Sequence, residues 1–229
     1  TIFLSVPDGK VSLSVVDEIV AVSDRRVGVI IDLSTIGPAA ARDAAARCKA
    51  AGITYMDAPV SGGQAGAKAG TITIMMAGNK ATKDVHDDVL YAFAKNPFHV
   101  GDEPGQGQAV KILNNFLSGT AMAATTEAVL YGLSQGVDMK TMLDVVNVST
   151  GQNTATSDKF PNRVLTETFD AGFATALLTK DVNLFVENAK AAGTPTRVAD
   201  TVGGIWNETN EALPDSDFTL VYKYLRDGE

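Results

Sequence analysis

Apolar and polar positions follow two regimes along the chain, and the change falls near residue 101. In the first regime, short apolar runs alternate with stretches of helical spacing. Residues 2–6 are apolar apart from Ser5 and close on Pro7-Asp8-Gly9, which predicts a buried strand and a turn. Over 10–22, Val11, Val15, Ile19 and Val22 share one helical face. VGVIIDL at 27–33 predicts a second strand, leading into Ser34-Thr35, whose hydroxyls can cap a helix that begins at Pro38 and stops at Gly52. Strands over 53–58 and 71–77, a helix over 81–94 and a short strand at 98–100 complete this half. Strand and helix alternating at this pitch predict an α/β sheet with parallel pairing.

After Gly101 the strand signal disappears. From Gly105 to Gln135 there is no proline and glycine occurs only singly, which predicts one helix of about thirty residues, roughly 45 Å long. Everything beyond reads as helix or loop, with helices over 138–149, 155–166, 175–192, 195–212 and 217–226. The expected organisation is therefore an α/β domain over residues 1–101 and an all-helical domain over 102–229, joined by the long helix.

Composition narrows the function classes. Hydrophobic residues are 45% and charged residues 20% of 229, an ordinary globular balance. A net charge of -8 without a basic stripe argues against a nucleic-acid partner. No apolar run is long enough to span a bilayer, so no membrane partner is expected. Cys48 is the one cysteine, which excludes an internal disulfide and fits a reducing compartment, the cytoplasm. Its setting, AAARCKAAG, reads as an exposed to half-buried helix position. His86 and His99 have no second ligand type at metal spacing, so no metal is expected. The chain opens inside an apolar strand with no initiator methionine, and a preceding segment is expected.

Three stretches carry candidate chemistry. DAPVSGG at 57–63 leaves a strand, presents the Ser61 hydroxyl and then exposes the N–H groups of Gly62 and Gly63, a nest suited to a carboxylate; equally it is a flexible connection. GQAVKILNN at 107–115 puts Lys111 and Asn115 four residues apart on one helix face, with Gly107 a turn earlier leaving room for a ligand. An ammonium in such apolar surroundings is costly to keep charged, which favours proton exchange by a general acid or base. The alternative is a lysine that snorkels to solvent beside an asparagine that packs locally. GFATALLTKD at 172–181 opens a helix, where Lys180-Asp181 is either an ordinary exposed pair or a group reaching into a cleft.

Taken in order, VPD, DLST, DAPVSGG, GQAVKILNN and GFATALLTKD resemble the β-hydroxyacid dehydrogenase family, and the resemblance extends from Ile2 to the closing DFTLVYKYLRDG. It implies a Rossmann-type NAD(P)-binding domain, incomplete here, followed by an all-helical domain, with the active site between them. By resemblance, Lys111 matches the catalytic lysine that exchanges a proton with the substrate oxygen as hydride moves to or from the nicotinamide. Ser61, Gly62 and Gly63 match the loop holding the substrate carboxylate, and Asn115 the residue that orients the substrate. Val6 and Pro7 match the strand-end turn bordering the cofactor, Thr35 and Lys180 match dinucleotide contacts, and Phe173 lies near the nicotinamide pocket. The implied partners are NAD or NADP, a short hydroxy acid or semialdehyde, and further copies of the chain in a homodimer or homotetramer.

One departure matters. The family's opening strand and G-x-G-x-x-G turn for the pyrophosphate are absent from this sequence, roughly sixty residues by analogy. Weak dinucleotide binding by this stretch is expected, and NAD cannot be told from NADP. An oligomeric scaffold without turnover is the alternative from another functional class.

Overall fold

A computed structural model describes residues 1–228, which form two compact units that divide between Leu113 and Asn114. The first is an α/β unit. Strands β1 (Ile2–Leu4), β2 (Val29–Asp32) and β3 (Thr54–Asp57) run parallel, linked by helices α1 (Gly9–Ala21) and α2 (Pro38–Ala50). A two-residue strand β4 (Val60–Ser61) and β5 (Ile72–Ala77) follow, with α3 (Gly63–Ala69) between them. Both β3 and β4 pair antiparallel with β5, while β6 (Ala94–Gly101) pairs with it in parallel.

The register explains why β2 and β3 read as unbroken apolar runs. Ile30 pairs with Tyr55 and packs with Val16, Ala41, Ala44 and Cys48 on one face. Ile31 pairs with Met56 and packs with Ile74, Met76 and Leu90 on the other. Both faces are covered, so alternation is lost. Each fully buried Val, Ile, Leu and Met among them contributes about 1.5–3 kcal/mol of transfer free energy.

Four local expectations change. The helix predicted over 81–94 is two helices, α4 (Lys80–Val85) and α5 (Asp87–Tyr91), because the backbone of His86 leaves the helical region at φ -99° and ψ 3°. The chain is already in β6 at Ala94, and Pro97 is tolerated there because a strand paired on one side only has no second ladder to supply. Cys48 is fully buried, not half-exposed, and burial pushes its thiol up to about 11. The hydroxyls of Ser34 and Thr35 do not cap α2, whose N-cap is Gly37 and has no side-chain cap.

The second unit is helical. The long helix α6 (Gln106–Ser134) starts in the first unit and continues into the second. There it is followed by α7 (Met139–Val146), a π-helical stretch over Ala155–Val164, α8 (Thr175–Ala191), α9 (Arg197–Ala212), a 3-10 turn at Phe218–Leu220 and α10 (Val221–Asp227). Its core gathers Met122, Phe160, Leu178, Val182, Trp206, Phe218 and Val221, with Phe160 meeting Tyr222 edge-on at 5.9 Å. Among the described residues, no helix is long and apolar enough to cross a membrane, and no group of three or more His, Cys, Asp and Glu is placed to hold a metal ion.

Candidate active site

In the first unit Val6 and Pro7 follow β1, Thr35 follows β2, Ser61 to Gly63 lie in and just after β4, and Lys111 is in the early turns of α6. Val6 follows β1, and its N–H donates to Ser34 Oγ at 2.8 Å; Pro7 is exposed beside it. Thr35 is half-buried in the loop after β2. That loop is held from both sides. Asp32, buried at the end of β2, accepts from Ser34 N–H at 2.9 Å, from Ser12 Oγ at 2.5 Å and from the Tyr55 hydroxyl at 3.1 Å. From α6, Gln108 Oε1 accepts the N–H groups of Ile36 and Gly37 at 2.9 and 3.1 Å, and its Nε2 donates to Ser34 O at 2.8 Å. The fully buried Gln108 side chain therefore serves three backbone groups of this loop.

Lys111 is buried at 7% exposure, one turn along α6 from Gly107. Gly107 does not open ligand space. A Cβ there would lie 2.2 Å from Met75 O and 2.8 Å from Asp57 Oδ2, so the missing side chain lets the first turn of α6 press against the ends of β5 and β3. Ser61, in β4, pairs with Thr73. Gly62 and Gly63 follow with φ of 131° and 60°, and both are exposed. Gly62 also lies against Ile72, whose Cα would be 3.3 Å from an added Cβ. A side chain is excluded there on two counts, strain and space.

In the second unit Asn115 is buried, and its Nδ2 donates to Asp181 Oδ2 at 2.6 Å. Lys180 Nζ lies 3.2 Å from the other oxygen of Asp181, which is 3% exposed. Lys180-Asp181 is thus not an ordinary surface pair: one member is buried and shared with Asn115. Phe173 packs on the helical core, its ring 5.9 Å from that of Phe218, and its N–H donates to Asp217 Oδ2 at 3.2 Å.

The comparisons with known proteins bear on this arrangement. Residues 1–101 match the family described as the NAD binding domain of 6-phosphogluconate dehydrogenase. Residues 105–225 match that described as the NAD-binding of NADP-dependent 3-hydroxyisobutyrate dehydrogenase. The chain belongs to the 3-hydroxyisobutyrate dehydrogenase, or β-hydroxyacid dehydrogenase, family. Among curated relatives of the family, it is 39% identical to the 2-(hydroxymethyl)glutarate dehydrogenase of Eubacterium barkeri, over 73% of this chain and 55% of that protein. It is 34% identical to a probable mitochondrial 3-hydroxyisobutyrate dehydrogenase of Dictyostelium discoideum, over 86% of this chain and 63% of that one. The chain therefore spans somewhat more than half the length of these relatives. The Mycobacterium tuberculosis 3-hydroxyisobutyrate dehydrogenase solved with L-serine superposes with a TM-score of 0.91 at 30% identity, covering 98% of this chain and 78% of that one.

The fit of the family's dinucleotide can be tested on the two helices that follow β1 and β2. The N-terminus of α1 is occupied by Asp8, whose carboxylate accepts from Val11 N–H at 3.0 Å. The N–H groups ahead of α2 are already taken by Gln108. Those donors are therefore not open to a pyrophosphate. The loops at Val6-Pro7 and Thr35, by contrast, sit at the carboxyl ends of parallel strands, where such sheets accept a nucleotide.

Three residues that hold these elements were not singled out as site residues from the sequence: Asp57, Gln108 and Asp181. Asp57 and Asp181 stand inside motifs that were noticed. Gln108 stands inside GQAVKILNN as well, but nothing local marks its role, since its side chain serves backbone groups 71 to 74 residues away.

Proposed function

We propose that the chain belongs to an NAD(P)-dependent oxidoreductase that interconverts a short hydroxy acid and the corresponding semialdehyde. The observation that supports this reading most is Lys111, a buried lysine on a helix whose first turn is tied to the sheet by Gln108 and Asp57. A bound nicotinamide supplies the chemistry of hydride acceptance or donation. Lys111 holds or accepts the proton of the substrate oxygen, and its ammonium offsets charge that develops there. Ser61, Gly62 and Gly63 hold the substrate carboxylate, which selects the face presented. Asn115 orients the substrate, itself oriented by Asp181. Val6, Pro7 and Thr35 border the cofactor, and the family resemblance gives Phe173 and Lys180 cofactor contacts as well.

Turnover of short hydroxy acids with NAD+ and NADP+ by protein expressed from the complete reading frame tests this. Lys111→Ala is expected to lower kcat by roughly a hundredfold or more with cofactor affinity little changed; near-normal turnover rejects the assignment. A scaffold built from several copies of the chain is the second reading, favoured by the exposed apolar residues Tyr131, Val145 and Val148. It requires self-association with no turnover of any member of the same panel.

A further inference from the structure

The aspartates that end β2 and β3 stand in register, Asp32 against Asp57, and both are fully buried. Asp32 serves its own loop through Ser34. Asp57 takes its partners from much further along the chain: Gly105 N–H donates to Oδ1 at 2.8 Å and Gln108 N–H to Oδ2 at 2.9 Å. These N–H groups belong to the start of α6, where no helical acceptor exists for them. Burial pushes the Asp57 carboxyl up to about 6, while the two N–H bonds act in the opposite direction. A carboxylate shared between two amides is a two-point joint, with charge-assisted bonds stronger than neutral ones.

Four further contacts make the joint rigid. Gln108 ties the same turn to the loop after β2 through Ser34 O and the N–H groups of Ile36 and Gly37. Between the two donors, Gly107 brings the turn against Met75 O. Lys111 is three residues past Gln108, less than one turn of the same helix. A tilt or slide of this first turn therefore moves the lysine.

We infer that Asp57 is a positioning residue for the proton-transfer step: by accepting the N–H groups of Gly105 and Gln108 it sets where α6 presents Lys111. The inference rests on the reading of Lys111 proposed above. Asparagine is nearly isosteric but offers a single oxygen, so Asp57→Asn turns an amide donor toward one of the two N–H groups.

The test uses the full chain and the acetylation rates of Lys111 and Lys83 by acetic anhydride, resolved by mass spectrometry. Lys83 is also buried in the first unit, in α4, where it pairs with Asp87 at 2.6 Å. Asp57→Asn is expected to change Lys111 labelling about threefold or more with Lys83 unaltered, as a local displacement requires. Unchanged Lys111 labelling overturns the inference. So does a parallel change at both lysines, the signature of general loosening. If the variant does not fold, amide exchange in the wild type decides: protection of Gly105 and Gln108 N–H by roughly a hundredfold is expected, and rapid exchange at Gln108 overturns the joint. Failure of the catalytic reading is a separate result, namely full turnover by Lys111→Met while the labelling response to Asp57→Asn persists.

Discussion

Asn147 Nδ2 donates to the carbonyl of Thr156 at 2.9 Å. Thr156 lies five residues before Pro161 in the π-helical stretch, so it is the carbonyl that loses its helical donor to proline's missing N–H. A side chain from the end of α7 replaces the absent backbone bond. Asn147→Ala should therefore destabilise the second unit by about 1–3 kcal/mol, the cost of a buried carbonyl without a partner. Thermal denaturation of the single variants and of Asn147→Ala with Pro161→Ala checks the cause. The Asn147 effect should shrink once residue 161 has an N–H.

Gly107→Ala should be far worse than an alanine elsewhere in α6. The added Cβ would lie 2.2 Å from Met75 O, a backbone atom that cannot step aside. Overpacking of this kind costs about 3 kcal/mol. Urea unfolding, compared with an exposed control in the same helix such as Glu127→Ala, reads the difference, and equal midpoints would contradict the close approach.

The pH dependence contributed by Asp57 has a definite sign. Its folded carboxyl titrates at about 6 against 3.8 for the ordinary group, with Asp32 the charged neighbour that adds to the rise. A raised value means that the folded state binds the proton more tightly. The stabilisation is full below 3.8, fades as pH rises, and is gone above about 6, with an upper bound of about 3 kcal/mol. Wild type should gain stability relative to Asp57→Asn between pH 7 and pH 4.5. A pH-independent difference in urea midpoints would refute the elevated value.

Asn115 and Asp181 give a charge-sensitive pair. Asn115→Ala removes the 2.6 Å bond to a buried carboxylate and should cost about 1–3 kcal/mol. Asn115→Asp places a second carboxyl against the first, so it should be the less stable variant at pH 7.5 and recover on acidification, as like charges require. Melting temperatures of both variants across that range decide the order.

Much of the fold was legible because it is written in local periodicity. Ile30-Ile31 and Tyr55-Met56 gave continuous apolar runs, and the absence of proline through Gly105 to Gln135 marked α6. The strand β4 was invisible: two residues have no periodicity, and Val60-Ser61 forms a strand only because Ile74 and Thr73 lie opposite. The break at His86 depends on one residue's dihedral angles, and the burial of Cys48 on packing from β1, β2 and β3. At the candidate site, motif order pointed to Lys111, Asn115 and the Ser61 loop. What holds them did not show, since the partners of Gln108 and Asp57 lie about fifty to seventy residues away and nothing local marks a glutamine as a clamp.

The anchoring of α6 by Gln108 and Asp57 also sets where the chain can be cut. The two family matches meet between residues 101 and 105, which suggests a seam ahead of the helix. The compact units instead part at Leu113, one helical turn beyond Gln108. A fragment ending at residue 101 would leave the Asp57 carboxylate and the N–H groups of Ile36 and Gly37 without their partners, whereas one ending at 113 retains them all. Chimaeras that exchange the helical half between relatives should accordingly be joined inside α6, after its second turn, where the borrowed piece inherits none of the donor's unmet obligations.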